Sequence, residues 1–154
     1  MKAYERLLKY VVVHTTSDEE STSVPTTARQ FDLANLLVEE LRAIGVSDAA
    51  VDDMCYVYAH LPATKGYENA TKIGFIAHMD TAPDFSGENV RPRIIENYDG
   101  KDVALGTSGR TLTAAQFTHL PKLKGRTLIV TDGTTLLGAN VRCCSPPHHP
   151  SSRM

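Results

Sequence analysis

Lys72-Ile73-Gly74-Phe75-Ile76-Ala77-His78-Met79-Asp80-Thr81 is the stretch on which the fold turns. Its first six residues make a short, nearly continuous apolar run. That pattern belongs to strands covered on both faces, and it predicts a central strand over residues 72–77. At its end a histidine and an aspartate stand two apart, and if the strand continues that far, His78 and Asp80 face the same side. The spacing suits a metal site, in which the imidazole gives one ring nitrogen to a divalent ion while the carboxylate orients the ring or steadies a coordinated water. From spacing alone, a His-x-Asp at a strand end is more often a hydrogen-bonded structural pair than a metal site.

Working outward, Gly125-Arg126-Thr127-Leu128-Ile129-Val130-Thr131-Asp132-Gly133 predicts a second buried strand over 127–131, punctuated by glycine on both sides. Residues 54–61 are β-branched and aromatic enough for another strand, with Cys55 inside it as a small buried apolar residue. Residues 93–98 make a weaker one, bounded by the turn Asp99-Gly100, and 113–120 predict a short helix before Pro121. Towards the N-terminus, Leu7, Leu8 and Val11 suit a short helix over 3–13, followed by a polar loop over 15–27. Thr26 or Thr27 is placed to cap a second helix, whose residues Phe31, Ala34, Leu37, Leu41 and Ile44 follow the 3.6 period up to Gly45. Helices interleaved with strands predict an α/β fold, a mixed sheet flanked by helices.

A chain of 154 residues and 16.8 kDa fits one core, since a closed fold of this length buries about 70% of its unfolded surface. Sixteen basic against eighteen acidic side chains leave a formal charge of -2, so no basic field is present to attract nucleic acid or anionic lipid. No apolar run is long enough for a membrane helix, and Lys2, Glu5, Arg6 and Lys9 interrupt the first thirteen residues, unlike a signal peptide. The expectation is a cytoplasmic protein that binds neither nucleic acid nor membrane. Cys55, Cys143 and Cys144 are an odd count with two adjacent, which is not a disulfide framework. From Asn140 the composition turns to Cys, Pro, His and Ser without hydrophobic period, which divides the chain into a folding part, 1–139, and a tail, 140–154, expected to be disordered.

The stretch from Gly74 through His78-Met79-Asp80-Thr81-Ala82-Pro83-Asp84 to Gly87 resembles the tripeptide aminopeptidases of the dinuclear-zinc metallopeptidase family, to which aminoacylases and related carboxypeptidases also belong. Residues 10–17, ending His14-Thr15-Thr16-Ser17, the helix over 30–45, and Thr127-Leu128-Ile129-Val130-Thr131-Asp132-Gly133-Thr134-Thr135-Leu136-Leu137-Gly138-Ala139 resemble it in the same order. The resemblance covers residues 1–139 and implies the N-terminal portion of a zinc-peptidase catalytic domain. It implies that His78 is a zinc ligand, that Asp80 is the catalytic-site carboxylate orienting it, and that two zinc ions activate a water to release the N-terminal residue of a tripeptide. The family follows Gly-Ala with an aspartate that bridges the two ions, whereas Asn140-Val141-Arg142 stands here. A neutral amide brings no negative charge to hold two dications together. The paired glutamates, the other ligands and the inserted homodimerisation domain lie farther along in the family. The resemblance thus implies a truncated, inactive portion of the enzyme, and the switch in composition at Asn140 suggests a frameshift, for which the source nucleotide sequence is the test.

Other residues carry less. Cys143, Cys144, His148 and His149 are zinc-ligand types, but adjacent residues on an extended chain point apart, and a loose scavenging tail is the competing reading. Gly106-Thr107-Ser108-Gly109-Arg110 lacks the lysine and hydroxyl of a phosphate loop and reads as a surface turn, as do Asp99-Gly100 and Asp132-Gly133. His14 precedes Asp18 by four residues in a loop, and His60 and His119 show no partner in the sequence. A noncatalytic peptide- or partner-binding protein, using an exposed sheet edge, is the alternative function. It would tolerate His78→Ala; catalysis would not. An uncovered edge and apolar face beyond residue 131 would leave such a chain marginally stable.

Overall fold

The computed structural model describes residues 1–138. Helix α1 spans Ala3–Val11 and begins with the backbone N–H of Lys2 donating to the Glu5 carboxylate at 2.6 Å, which supplies a partner for a donor at the helix start. Leu7, Tyr10 and Val11, at helical spacing, are its buried face. Helix α2 spans Gln30–Ala43 and buries Leu33, Ala34 and Val38. Its capping differs from the sequence expectation, because neither Thr26 nor Thr27 caps it. Arg29 stands at the N-cap, and the amide of the Gln30 side chain donates to both threonine hydroxyls at 3.2 and 3.3 Å. The Thr27 hydroxyl donates in turn to the Thr16 carbonyl at 3.0 Å, which ties the helix start to the preceding loop. At the other end the N–H groups of Gly45 and Val46 reach the carbonyls of Arg42 and Leu41, with Gly45 at φ +100°. That is a Schellman closure, and the conformation of Gly45 is one that a residue with a Cβ rarely adopts.

Strands β1 (Ala50–Val51) and β2 (Val57–Tyr58) form an antiparallel hairpin against which α2 packs. Its turn is organised by Asp52, whose carboxylate accepts from the N–H groups of Met54 and Tyr56. The expected strand over 54–61 is therefore shortened to two residues, and Cys55 sits in the turn at φ +69°, buried as expected but outside any strand. Strands β3 (Arg93–Ile95) and β6 (Leu128–Val130) pair antiparallel with Ile94 opposite Ile129. Between them in sequence lie the hairpin β4 (Val103–Ala104) and β5 (Thr111–Leu112) and a 3-10 turn at Leu120–Leu123. The 3-10 turn replaces the helix expected over 113–120. Pro121, near its start, has no N–H to lose there.

Among the described residues two small apolar clusters result. Tyr98, Val103, Leu105, Leu120 and Val130 form one, and Leu7, Val11 and Val90 the other. Strand β6 joins them, since Leu128 and Val130 pack on the first and Ile129, on the opposite face, packs on the second.

The largest departure from the sequence expectation is at residues 72–77. Residues 72–77 form no strand, and Phe75 and Ile76 are 94% and 100% exposed. An apolar run becomes a central strand only when neighbours take its backbone groups and layers cover both faces. Among the described residues no strand lies beside it. The α/β character holds, but among the described residues three separate two-stranded antiparallel pairs stand in place of one mixed sheet, and the one parallel pairing there is the isolated bridge of Thr16 with Thr81.

Candidate functional site

Although 72–77 is not a strand, the chain is anchored just beyond it. The Thr81 N–H donates to the Thr15 carbonyl, and the Ser17 N–H and hydroxyl both donate to the Thr81 carbonyl at 3.0 and 3.1 Å. The hydroxyls of Thr16 and Thr81 lie 3.2 Å apart. Gly87 closes over this bridge so tightly that a Cβ there would stand 2.5 Å from the Thr16 hydroxyl. These contacts hold Asp80 next to a fixed point of the backbone.

His78 Nδ1 lies 2.9 Å from Asp80 Oδ1 and 3.1 Å from the Asp80 carbonyl. A neutral imidazole in this arrangement donates from Nδ1, and its Nε2 keeps a lone pair for another group. Both side chains are accessible, 63% for His78 and 37% for Asp80. They line a cleft of about 850 Å³ that runs between residues 75–80, helix α2 and the β1–β2 hairpin, with Leu33, Leu37 and Leu41 along one wall. The arrangement can present one nitrogen donor with a fixed tautomer beside an apolar cleft. Among the described residues no three His, Cys, Asp or Glu side chains gather as a metal-binding group. Asn140, Cys143, Cys144, His148 and His149, and the tail as a whole, lie outside the described residues.

Other groups weighed in the sequence are placed differently. His14 faces Arg29, whose guanidinium is 3.1 and 3.2 Å from its ring nitrogens. His60, without an evident partner in the sequence, pairs with Asp48 at 2.8 Å. The His60 backbone N–H and ring together hold the Asp48 carboxyl below its ordinary range. The signal was an acid and a base flanking a hairpin, legible only once that hairpin is drawn. His119 meets Phe117 edge to face. Burial, with Asp52 nearby, pushes the Cys55 thiol up, so it is a poor nucleophile. The Gly106-to-Arg110 segment turns between β4 and β5, and Asp132 and Asp99 accept from N–H groups two residues on, as turns do.

No family model matches the chain. Curated proteins do. Peptidase T of Alkaliphilus oremlandii is 53% identical over 138 residues, which is 88% of this chain and 34% of that protein. Peptidase T of Clostridium perfringens is 53% identical over 139 residues, 90% of this chain and 34% of its own length. That of Aliivibrio fischeri is 53% identical over 136 residues, 88% and 33%. Over 88–90% of its length the chain is similar to peptidase T. It spans about a third of the length of the curated peptidase T relatives it matches. The sequence resemblance to tripeptide aminopeptidases is thus supported by peptidase T from several organisms at the same level of identity. Among the described residues no helix is long and apolar enough to cross a membrane.

Proposed function

We propose that this chain contributes His78 as a zinc ligand, and Asp80 as the carboxylate that orients it, to the site of a tripeptide aminopeptidase. The observation that supports this most is the 2.9 Å contact from His78 Nδ1 to Asp80, which leaves Nε2 available beside a cleft. The pair fits zinc in donor chemistry, because a ligand histidine ordinarily passes its other N–H to a carboxylate. Zinc, when bound, supplies Lewis-acid activation of water for attack on a peptide carbonyl. Asp80 fixes the tautomer and raises the basicity of His78, and the Thr81 bridge keeps Asp80 in place. Two ions and a general base need more oxygen ligands than this pair provides, and Asn140 stands where the family has its bridging aspartate. The chain by itself is therefore proposed to be inactive. A cytoplasmic location goes with this reading and is checked by fractionation.

The test is zinc stoichiometry on purified, tag-free protein, with tripeptide hydrolysis assayed on the same sample with and without added zinc. The expected result is weakly held zinc, less of it in His78→Ala, and no release of N-terminal amino acids. Two zinc ions per chain with chelator-sensitive turnover would show that other residues complete the site. The exposed run 72–77 favours a second reading, a noncatalytic binding protein, for which His78→Ala would leave partner affinity unchanged.

A further inference from the structure

The peptide group between Asp80 and Thr81 is held from both sides. Its N–H donates to the Thr15 carbonyl at 3.2 Å, and its oxygen, the Asp80 carbonyl, lies 3.1 Å from His78 Nδ1. In a trans peptide the N–H and C=O point in opposite directions, so the bond to Thr15 aims the carbonyl at the imidazole. The Asp80 carboxylate reaches the same nitrogen at 2.9 Å, so Nδ1 faces two acceptors and Nε2 is left for another group.

The segment that carries Thr15 is fixed in turn by the start of α2. The Thr27 hydroxyl donates to the Thr16 carbonyl at 3.0 Å and accepts from the Gln30 amide at 3.3 Å. The same amide donates to the Thr26 hydroxyl at 3.2 Å, which also accepts from the Asp18 N–H. Gln30 and Thr27 are each 8% exposed, a setting in which water competes little and such bonds are strong. A hydroxyl has a single hydrogen to give. Because the Gln30 amide donates to it, the Thr27 hydrogen is directed at Thr16, and the bonds run in one direction from α2 to residue 16.

We propose that Gln30 and Thr27 are positioning residues for the His78–Asp80 pair. They act through the backbone of residues 15–17 to fix the Asp80–Thr81 peptide and, with it, the tautomer of His78. The consequence for zinc rests on the function proposed above, because a ligand histidine in the wrong tautomer presents an N–H where a lone pair is needed. A role confined to stability would leave that tautomer as it is.

Nitrogen chemical shifts of the His78 ring, recorded on the isotope-labelled full chain at about pH 8 and assigned with His78→Ala, read the tautomer directly. Zinc affinity of the same samples is read by competition with a chromogenic chelator. The parent chain is expected to hold the hydrogen on Nδ1. Thr27→Val keeps the shape of the side chain and removes the hydroxyl; it should move the shifts towards the Nε2–H form and weaken zinc binding about tenfold. Thr27→Ser should behave as the parent does. Gln30→Met, which removes the orienting amide, should move both readouts the same way by less, and it serves where Thr27→Val does not fold. Gly45→Ala, which loosens α2 at its other end, should leave both unchanged. Shifts and affinity indifferent to Thr27→Val, or moved equally by Gly45→Ala, would overturn the proposal. So would a tautomer change without weaker binding in a chain that holds zinc. A tautomer that follows Thr27 in a chain that binds no zinc at all would support the positioning and overturn the zinc reading instead.

Discussion

Glu40 on α2 shows how a single side chain can join two elements. It accepts from Lys9 at 2.6 Å and from the Tyr10 hydroxyl, with Arg6 at 3.9 Å, all three from α1. Burial pushes the Glu40 carboxyl up, but the hydrogen bonds from Lys9 and Tyr10 and the nearby positive charges outweigh it, and the net direction is down. Burial and then the bond to Glu40 raise the Tyr10 phenol to about 12. The signs give two pH windows. A depressed carboxylate contributes stability above its unfolded value that is lost as pH falls through the folded value; a raised phenol contributes stability that is lost as pH rises from about 10 towards 12. The urea midpoint should therefore fall at both extremes, and Glu40→Gln should flatten the acid limb and cost about 1–3 kcal/mol at neutral pH. At the candidate site, Asp80→Asn should weaken zinc binding by about 10–100-fold, read by competition with a chromogenic chelator, while leaving the far-ultraviolet circular dichroism unchanged. An unchanged affinity would make the His78–Asp80 contact a structural pair.

Helix α2 is the element that the sequence described best, and its end supplies the sharpest test. Gly45 at φ +100° has nothing within 4 Å of where a Cβ would stand, so Gly45→Ala meets no clash. Its cost is conformational alone, about 1–2 kcal/mol, measurable as a shift in the urea midpoint with the slope unchanged. Gly87→Ala is the contrasting case. Its Cβ would collide with the hydroxyls of Thr16 and Thr81, the contact that holds the chain next to Asp80. Overpacking of this kind costs about 1–3 kcal/mol and should also disturb the site. A zinc affinity that follows Gly87→Ala but not Gly45→Ala would locate the effect in the bridge.

At the scale of the whole molecule, the described residues gather their apolar side chains in modest clusters rather than in one large core. Phe75, Ile76, Leu61 and Tyr67 are all more than two-thirds exposed. Little apolar burial opposes the entropy of ordering the chain, so a broad or aggregation-limited thermal transition is expected. A sharp, reversible two-state transition of a soluble monomer, with calorimetric and van't Hoff enthalpies equal, would contradict this expectation.

What could be read from the sequence was local. The period of residues 30–44 with Gly45 behind it, the polar loop over 15–27, the turns at Asp99-Gly100 and Asp132-Gly133, and the apolar character of β6 each depend on neighbours a few positions away. The approach of His78 to Asp80 is also local, because two residues on one extended segment meet whether or not that segment is a strand. Tertiary structure decided the rest. Whether residues 72–77 lie in the middle of a sheet depends on partners far along the chain, and hydrophobicity states a preference for burial without supplying what does the burying. The pairings of His60 with Asp48, His14 with Arg29 and Glu40 with α1 likewise join residues between 12 and 34 positions apart. Such contacts follow from how the elements pack, and no short-range pattern encodes them.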